Sequence, residues 1–140
     1  MAWTLTTKYV FPADWGASVG TTPVRRVRVL VVGTSSDTTE MTATNILDIS
    51  TITGINGVAC TKVSIESVQY ALAGVTYLDL KFDRTTDLIA LRMVPGVSIE
   101  VFDPPLRDTS TGDTGDLVLA STGASATGAF TLDIQVQIHS

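Results

Sequence analysis

The chain has a single cysteine and a single histidine in 140 residues, and it is poor in charge (16%) and in aromatic side chains (6%). A lone Cys60 excludes any intramolecular disulfide, so stability must come from packing or from assembly with other chains. Its neighbours Val58 and Ala59 are apolar and no base accompanies it, the setting of a buried thiol rather than a nucleophile. The only histidine, His139, leaves a hydrolytic triad without a base and a zinc site without its usual set of nitrogen and sulfur ligands. No enzymatic activity, cofactor or metal is expected on these grounds. Basic residues are scarce as well. A formal net charge of −5 and a pI near 4.6 oppose binding to phosphate backbones, so nucleic acid is not expected as a partner. The longest apolar run, residues 29–32, falls far short of the roughly 20 residues a spanning helix needs. The first residues, MAWTLTTKYV, lack a positive stretch followed by an apolar core, so neither membrane insertion nor a targeting segment is expected.

What remains is rich in β-forming residues. Apolar residues make up 44% of the chain, and Thr, Ser and Gly supply much of its polarity. Branching at Cβ stiffens Thr and Val and suits them to a pleated surface. The length fits one domain spanning residues 1–140 with a single core.

A first strand over residues 3–11 places Trp3, Leu5, Thr7, Tyr9 and Phe11 on one strongly aromatic face. An irregular connection rich in Gly and Pro follows and carries Trp15. In a second strand, residues 24–32, Val27, Val29 and Val31 share a face, while Arg26 and Arg28 give way to Leu30 and Val32 opposite. Its start should be wet and its end buried on both faces. Residues 33–45 read as an exposed loop. Residues 46–52 read as a short strand, although Ile46, Ile49 and Ile52 also fit a helical turn.

Residues 62–73 and 75–82 form two strands joined at Ala73-Gly74, a predicted hairpin. Leu78, Leu80 and Phe82 alternate with Tyr77, Asp79 and Lys81 as in a half-solvated strand. Turns at DRTTD, residues 83–87, and at Pro95-Gly96 lead into strands 88–94 and 97–102, which predicts a four-strand meander. A loop over 103–115 precedes strand 116–121. The last strand has Phe130, Leu132, Ile134, Val136 and Ile138 inward, with Thr131, Asp133, Gln135, Gln137 and His139 outward. About nine short strands predict an all-β, single-domain antiparallel β-sandwich or jelly roll.

Few side chains are candidates for chemistry. Asp103, Asp108, Asp113 and Asp116 surround a Gly-containing loop of the kind calcium can use, although acidic loops of this sort are commonly solvated turns. Asp79 and Asp83 are the carboxylate pair that glycoside hydrolysis would require, but Asp79 falls on the outer face of its strand. Arg25, Arg26 and Arg28 form the densest positive patch, either a solvated strand start or a docking patch for an acidic protein surface. Trp3, Tyr9, Phe11 and Trp15 are core residues or interface anchors, which makes residues 1–23 a candidate assembly arm. Exposed aromatics would equally suit a carbohydrate-binding jelly roll.

The runs KVSIESVQYALAGVTYLDLKFDRTTDLIALRM and TGDTGDLVLASTGASATGAFTLDIQVQI carry a resemblance to small virion proteins of tailed bacteriophages. The matching positions are Lys62, Ile65 and Glu66, then Asp83 to Asp87, then Thr114 to Leu117, and the resemblance covers roughly residues 46–138. It departs at Gln137, Ile138, His139 and Ser140, where that family carries basic residues. The resemblance implies a structural virion protein made in the host cytoplasm, a decoration or cement protein on the capsid exterior whose partner is the major capsid protein. A tail or head-tail connector component would share the same fold. Self-association follows as an expectation from the closed symmetry common among homo-oligomers, with a trimer fitting a local threefold position.

Overall fold

Among the described residues, β-branched and aromatic side chains at alternating positions build nine strands of four residues or more and one of two residues. The computed structural model describes residues 3–10, 18–19, 22–49, 61–84, 86–107 and 113–139, with the backbone alone for 18–19, 22–25, 113–114 and 139. In chain order the strands are β1 (Trp3–Val10), β2 (Ser18–Val19), β3 (Thr22–Ser35), β4 (Thr44–Leu47), β5 (Lys62–Ala73), β6 (Tyr77–Arg84), β7 (Leu88–Met93), β8 (Gly96–Arg107), β9 (Asp113–Thr122) and β10 (Ala129–His139). No helix long and apolar enough to cross a membrane occurs among the described residues.

Two antiparallel sheets face one another. The first runs β1-β3-β10-β5-β8, with β2 attached to β3, and the second runs β4-β9-β6-β7. From β3 onward the chain changes sheet at every connection except β6 to β7. That alternation is the topology of a jelly roll. It puts Val27, Val29, Ile134 and Val136 of the first sheet against Leu78, Leu80, Leu117 and Leu119 of the second, all in one buried cluster.

The expected inward and outward sets of β10 hold, with Phe130, Leu132, Ile134, Val136 and Ile138 all buried. The expected hairpin at Ala73-Gly74 does not. β5 pairs with β10 and β8, whereas β6 pairs with β7 and β9, so this turn carries the chain across the sandwich. The four-strand meander is thereby corrected to a single hairpin, β6–β7, flanked by two crossings. Residues 33–45 are not wholly a loop, since β3 continues to Ser35 and Met41 is buried. β4 accounts for the start of the strand expected at 46–52, and residues 50–60, including Cys60, lie outside the described residues.

The assembly arm is also revised. Residues 3–10 pair with β3 along eight positions, from Trp3↔Ser35 to Val10↔Arg28, and so form an edge strand of the sandwich. Trp3 is only 2% exposed. Its indole N–H donates to the Thr39 carbonyl at 3.0 Å, and its ring lies 5.7 Å from that of Phe130. Phe130 in turn covers Gly33, where a Cβ would fall 2.4 Å from the ring. Trp3 is therefore a core residue rather than an exposed interface anchor, because the inward face of β1 supplies part of the core.

Candidate protein interface

The strand registers define the outer face of the first sheet. Thr6, Val32, Thr131, Ala71 and Val97 lie in one row across β1, β3, β10, β5 and β8, with Lys8, Leu30, Asp133, Gln69 and Ile99 in the next. Small residues in the middle, Ala71 and Thr131, leave the flanking aliphatics standing above them. The result is two adjoining depressions of about 410 and 470 Å³ that share Val32, Ala71, Val97 and Thr131. Val32 is 50% exposed, which corrects the expectation that the end of β3 is buried on both faces.

Strand β8 contributes most of the apolar surface, in an unexpected sense. Val97, Ile99 and Val101 are 79%, 62% and 72% exposed, while Ser98 and Glu100, opposite Tyr70 and Val68 of β5, take the positions nearer the core. Alternation normally turns the apolar set inward, and slipping the register by one residue would do so here. In β8 the polarity is reversed. Against water this arrangement leaves apolar surface exposed; against a partner it offers a ready contact.

The arginines sit beside this surface but are not free positive charges. Arg28 makes a two-pronged contact with Asp133, its Nε lying 2.9 and 3.1 Å from the two carboxylate oxygens, and this hydrogen bonding raises the guanidinium pKa. Arg26 lies 3.3 Å from Glu66. Glu66 is the extra residue of a β5 bulge, where the pairing to β10 steps from Ser67 to Ile65. Both guanidinium groups are thus matched within the chain, which revises the docking patch for an acidic surface into a charge-balanced rim. Tyr9 is half-buried; its hydroxyl accepts from the Asp48 N–H at 3.0 Å and so ties β1 to the chain beyond β4. Phe11, Trp15 and the side chain of Arg25 lie outside the described residues.

No arrangement with the geometry of a catalytic or metal site emerges among the described residues. Asp79 is only 5% exposed rather than half-solvated, and both of its oxygens are held by Arg92 at 2.8 and 3.0 Å. The same guanidinium lies 3.9 Å over the Tyr77 ring, and its pKa is raised by the hydrogen bonds it donates to Asp79. Of the four acids considered for calcium, Asp103 is exposed, Asp108 and the Asp113 side chain lie outside the described residues, and Asp116 bonds the Ile49 N–H at 3.0 Å. No group of three or more metal-ligating side chains is found among the described residues. On the outer face of the first sheet, the described residues include no aromatic, since Trp3, Tyr70 and Phe130 turn inward.

Burial pushes the Asp116 carboxyl above its usual value, and the charges of Asp48 and Asp83 add to this against the opposing bonds from Ile49 and Asn45. The folded chain therefore holds this proton more tightly than the unfolded chain. Its share of stability is highest in acid and declines as pH rises from the unfolded to the folded value. Asp116→Asn keeps an acceptor for the Ile49 N–H, so it is expected to be at least as stable as the parent near pH 7 and to lose that acid-side gain. Urea titrations at about pH 4 and pH 7 check both parts.

No protein-family model and no curated protein matches the chain. Among solved structures, it is similar to a variant of a family 29 carbohydrate-binding module, at 6% identity and a TM-score of 0.40, with 96% of this chain and 93% of that one covered. The residues that sequence reading passed over are Val97, Ile99 and Val101. Their only signal was the alternation V-x-I-x-V in β8, which shows that the three share a face but not which way that face points.

Proposed function

We propose that the protein is a structural component of a tailed-phage particle, a decoration or cement protein that seats the outer face of its first sheet on the major capsid protein at the exterior of the shell. The observation that carries this reading is the reversed polarity of β8, which joins Val97, Ile99 and Val101 to Val32 in one apolar surface beside a charge-balanced rim. The resemblance of residues 46–138 to small phage virion proteins supplies the kind of partner. The action is one of linkage, with no bond made or broken. Apolar area buried across neighbouring capsid subunits adds binding free energy only in the assembled shell, and so stabilises that state over dissociated subunits.

The deciding experiment is the copy number of this protein relative to the major capsid protein in purified particles, by quantitative mass spectrometry. A ratio near one, or a simple fraction of it, is expected. A few copies per particle would instead assign the chain to the tail or connector, and absence from particles would overturn the reading. In the same particles, Val32→Asp combined with Val97→Asp is expected to weaken binding by about tenfold or more, with an unchanged circular dichroism spectrum, because both residues face outward.

A further inference from the structure

We propose that two copies of this chain join along the free edge of β8, antiparallel, with Ile99 on the twofold axis. Among the described residues β8 pairs only with β5, so it closes one end of the first sheet and leaves its other backbone edge without a strand. Edge strands of soluble proteins are commonly blunted by lysine, proline or bulges. Here the blunting covers only half the strand. Pro104 and Pro105 remove two donors where the pairing to β5 jumps from Val101 to Leu106, whereas residues 96–101 contain no proline and no basic residue.

The free half is self-complementary. With Ile99 opposite Ile99 of the second copy, Val97 faces Val101 and Ser98 faces Glu100, in both directions. No carboxylate then faces another, and each Glu100 meets a hydroxyl of the kind it already accepts from Ser98 within its own chain at 3.3 Å. The first sheets of the two copies become one continuous sheet, and the reversed polarity of β8 gains a purpose because Val97, Ile99 and Val101 of both copies form a single strip across the junction. Such a twofold contact is isologous and closes on itself, so it gives a dimer rather than a fibre. The paired segment is short, which places the affinity at about the micromolar end of the range for protein interfaces.

The contact is tested on the isolated protein by sedimentation and by engineered disulfides in a Cys60→Ser background. The parent is expected to be a reversible dimer and Ile99→Lys a folded monomer. Opposed residues of an antiparallel pair lie about 4.5–5.5 Å apart at Cα, within disulfide range. Ile99→Cys should therefore cross-link to itself, and Val97→Cys only when mixed with Val101→Cys. Stacking of two outer faces, about 10 Å apart, would give none of these bonds. A parent that stays monomeric at about 200 μM, where an interface at the micromolar end of the range would be saturated, or a Val97→Cys variant that cross-links to itself as well as Ile99→Cys does, would overturn the proposal. If Ile99→Cys fails to fold, the Val97→Cys and Val101→Cys mixture decides. The particle copy number requires no such dimer, so either reading can fail while the other stands.

Discussion

Trp3→Ala is expected to lower the unfolding free energy by about 3–5 kcal/mol, the range for deleting a large buried aromatic from a core. The substitution removes the contact with Phe130 and leaves the Thr39 carbonyl without its indole donor. It also loosens the ring that covers Gly33. Trp3→Phe keeps most of the apolar volume but not the N–H, and should cost distinctly less. Urea denaturation followed by circular dichroism gives both values. Were Trp3 an exposed anchor for a partner, the alanine variant would stay within about 0.5 kcal/mol of the parent, as surface substitutions do. The same reasoning predicts that removing β1 destabilises the sandwich, because it uncovers the edge of β3 along eight paired positions.

Gly74→Ala is expected to cost roughly 2–5 kcal/mol, from a left-handed backbone conformation that disfavours a Cβ and from overpacking. Gly74 has φ +75°, and a Cβ there would lie 2.7 Å from both the Gly128 Cα and the Thr127 carbonyl oxygen. These are backbone atoms, so no side chain can swing aside. Asparagine tolerates positive φ better than alanine, which separates the two causes. If the collision dominates, Gly74→Asn is as damaging as Gly74→Ala; a marked recovery would show that the backbone angle alone matters. Chemical denaturation of the three proteins settles the point.

Much of the sandwich was legible because strand periodicity is a local property. The inward set of β10 and the shared face of Val27, Val29 and Val31 follow from alternation alone. The turn at Ala73-Gly74 was misread because a glycine with positive φ serves a hairpin and a crossing between facing sheets equally well. Choosing between them depends on β10 and β8, which lie far along the chain and pair with β5. Trp3 and Asp79 became clear only in three dimensions, since burial of the first depends on Phe130 and of the second on Arg92. The candidate interface was hidden for a further reason. Alternation groups Val97, Ile99 and Val101, and the usual assumption that apolar means inward then points the group the wrong way.

The place of β10 bears on how the molecule is made. It comes last among the described strands, yet it lies between β3 and β5, which have no pairing to each other among the described residues. During synthesis, both strands must wait beside open edges until residues 129–139 have emerged from the ribosome. The larger sheet therefore closes only after translation has passed this point, through pairings on the β3 side that run from Ala129↔Thr34 to His139↔Val24, about a hundred residues apart in sequence. In that interval the apolar strands are open to wrong partners, so yield in the cell should depend on how quickly β10 is delivered and inserted.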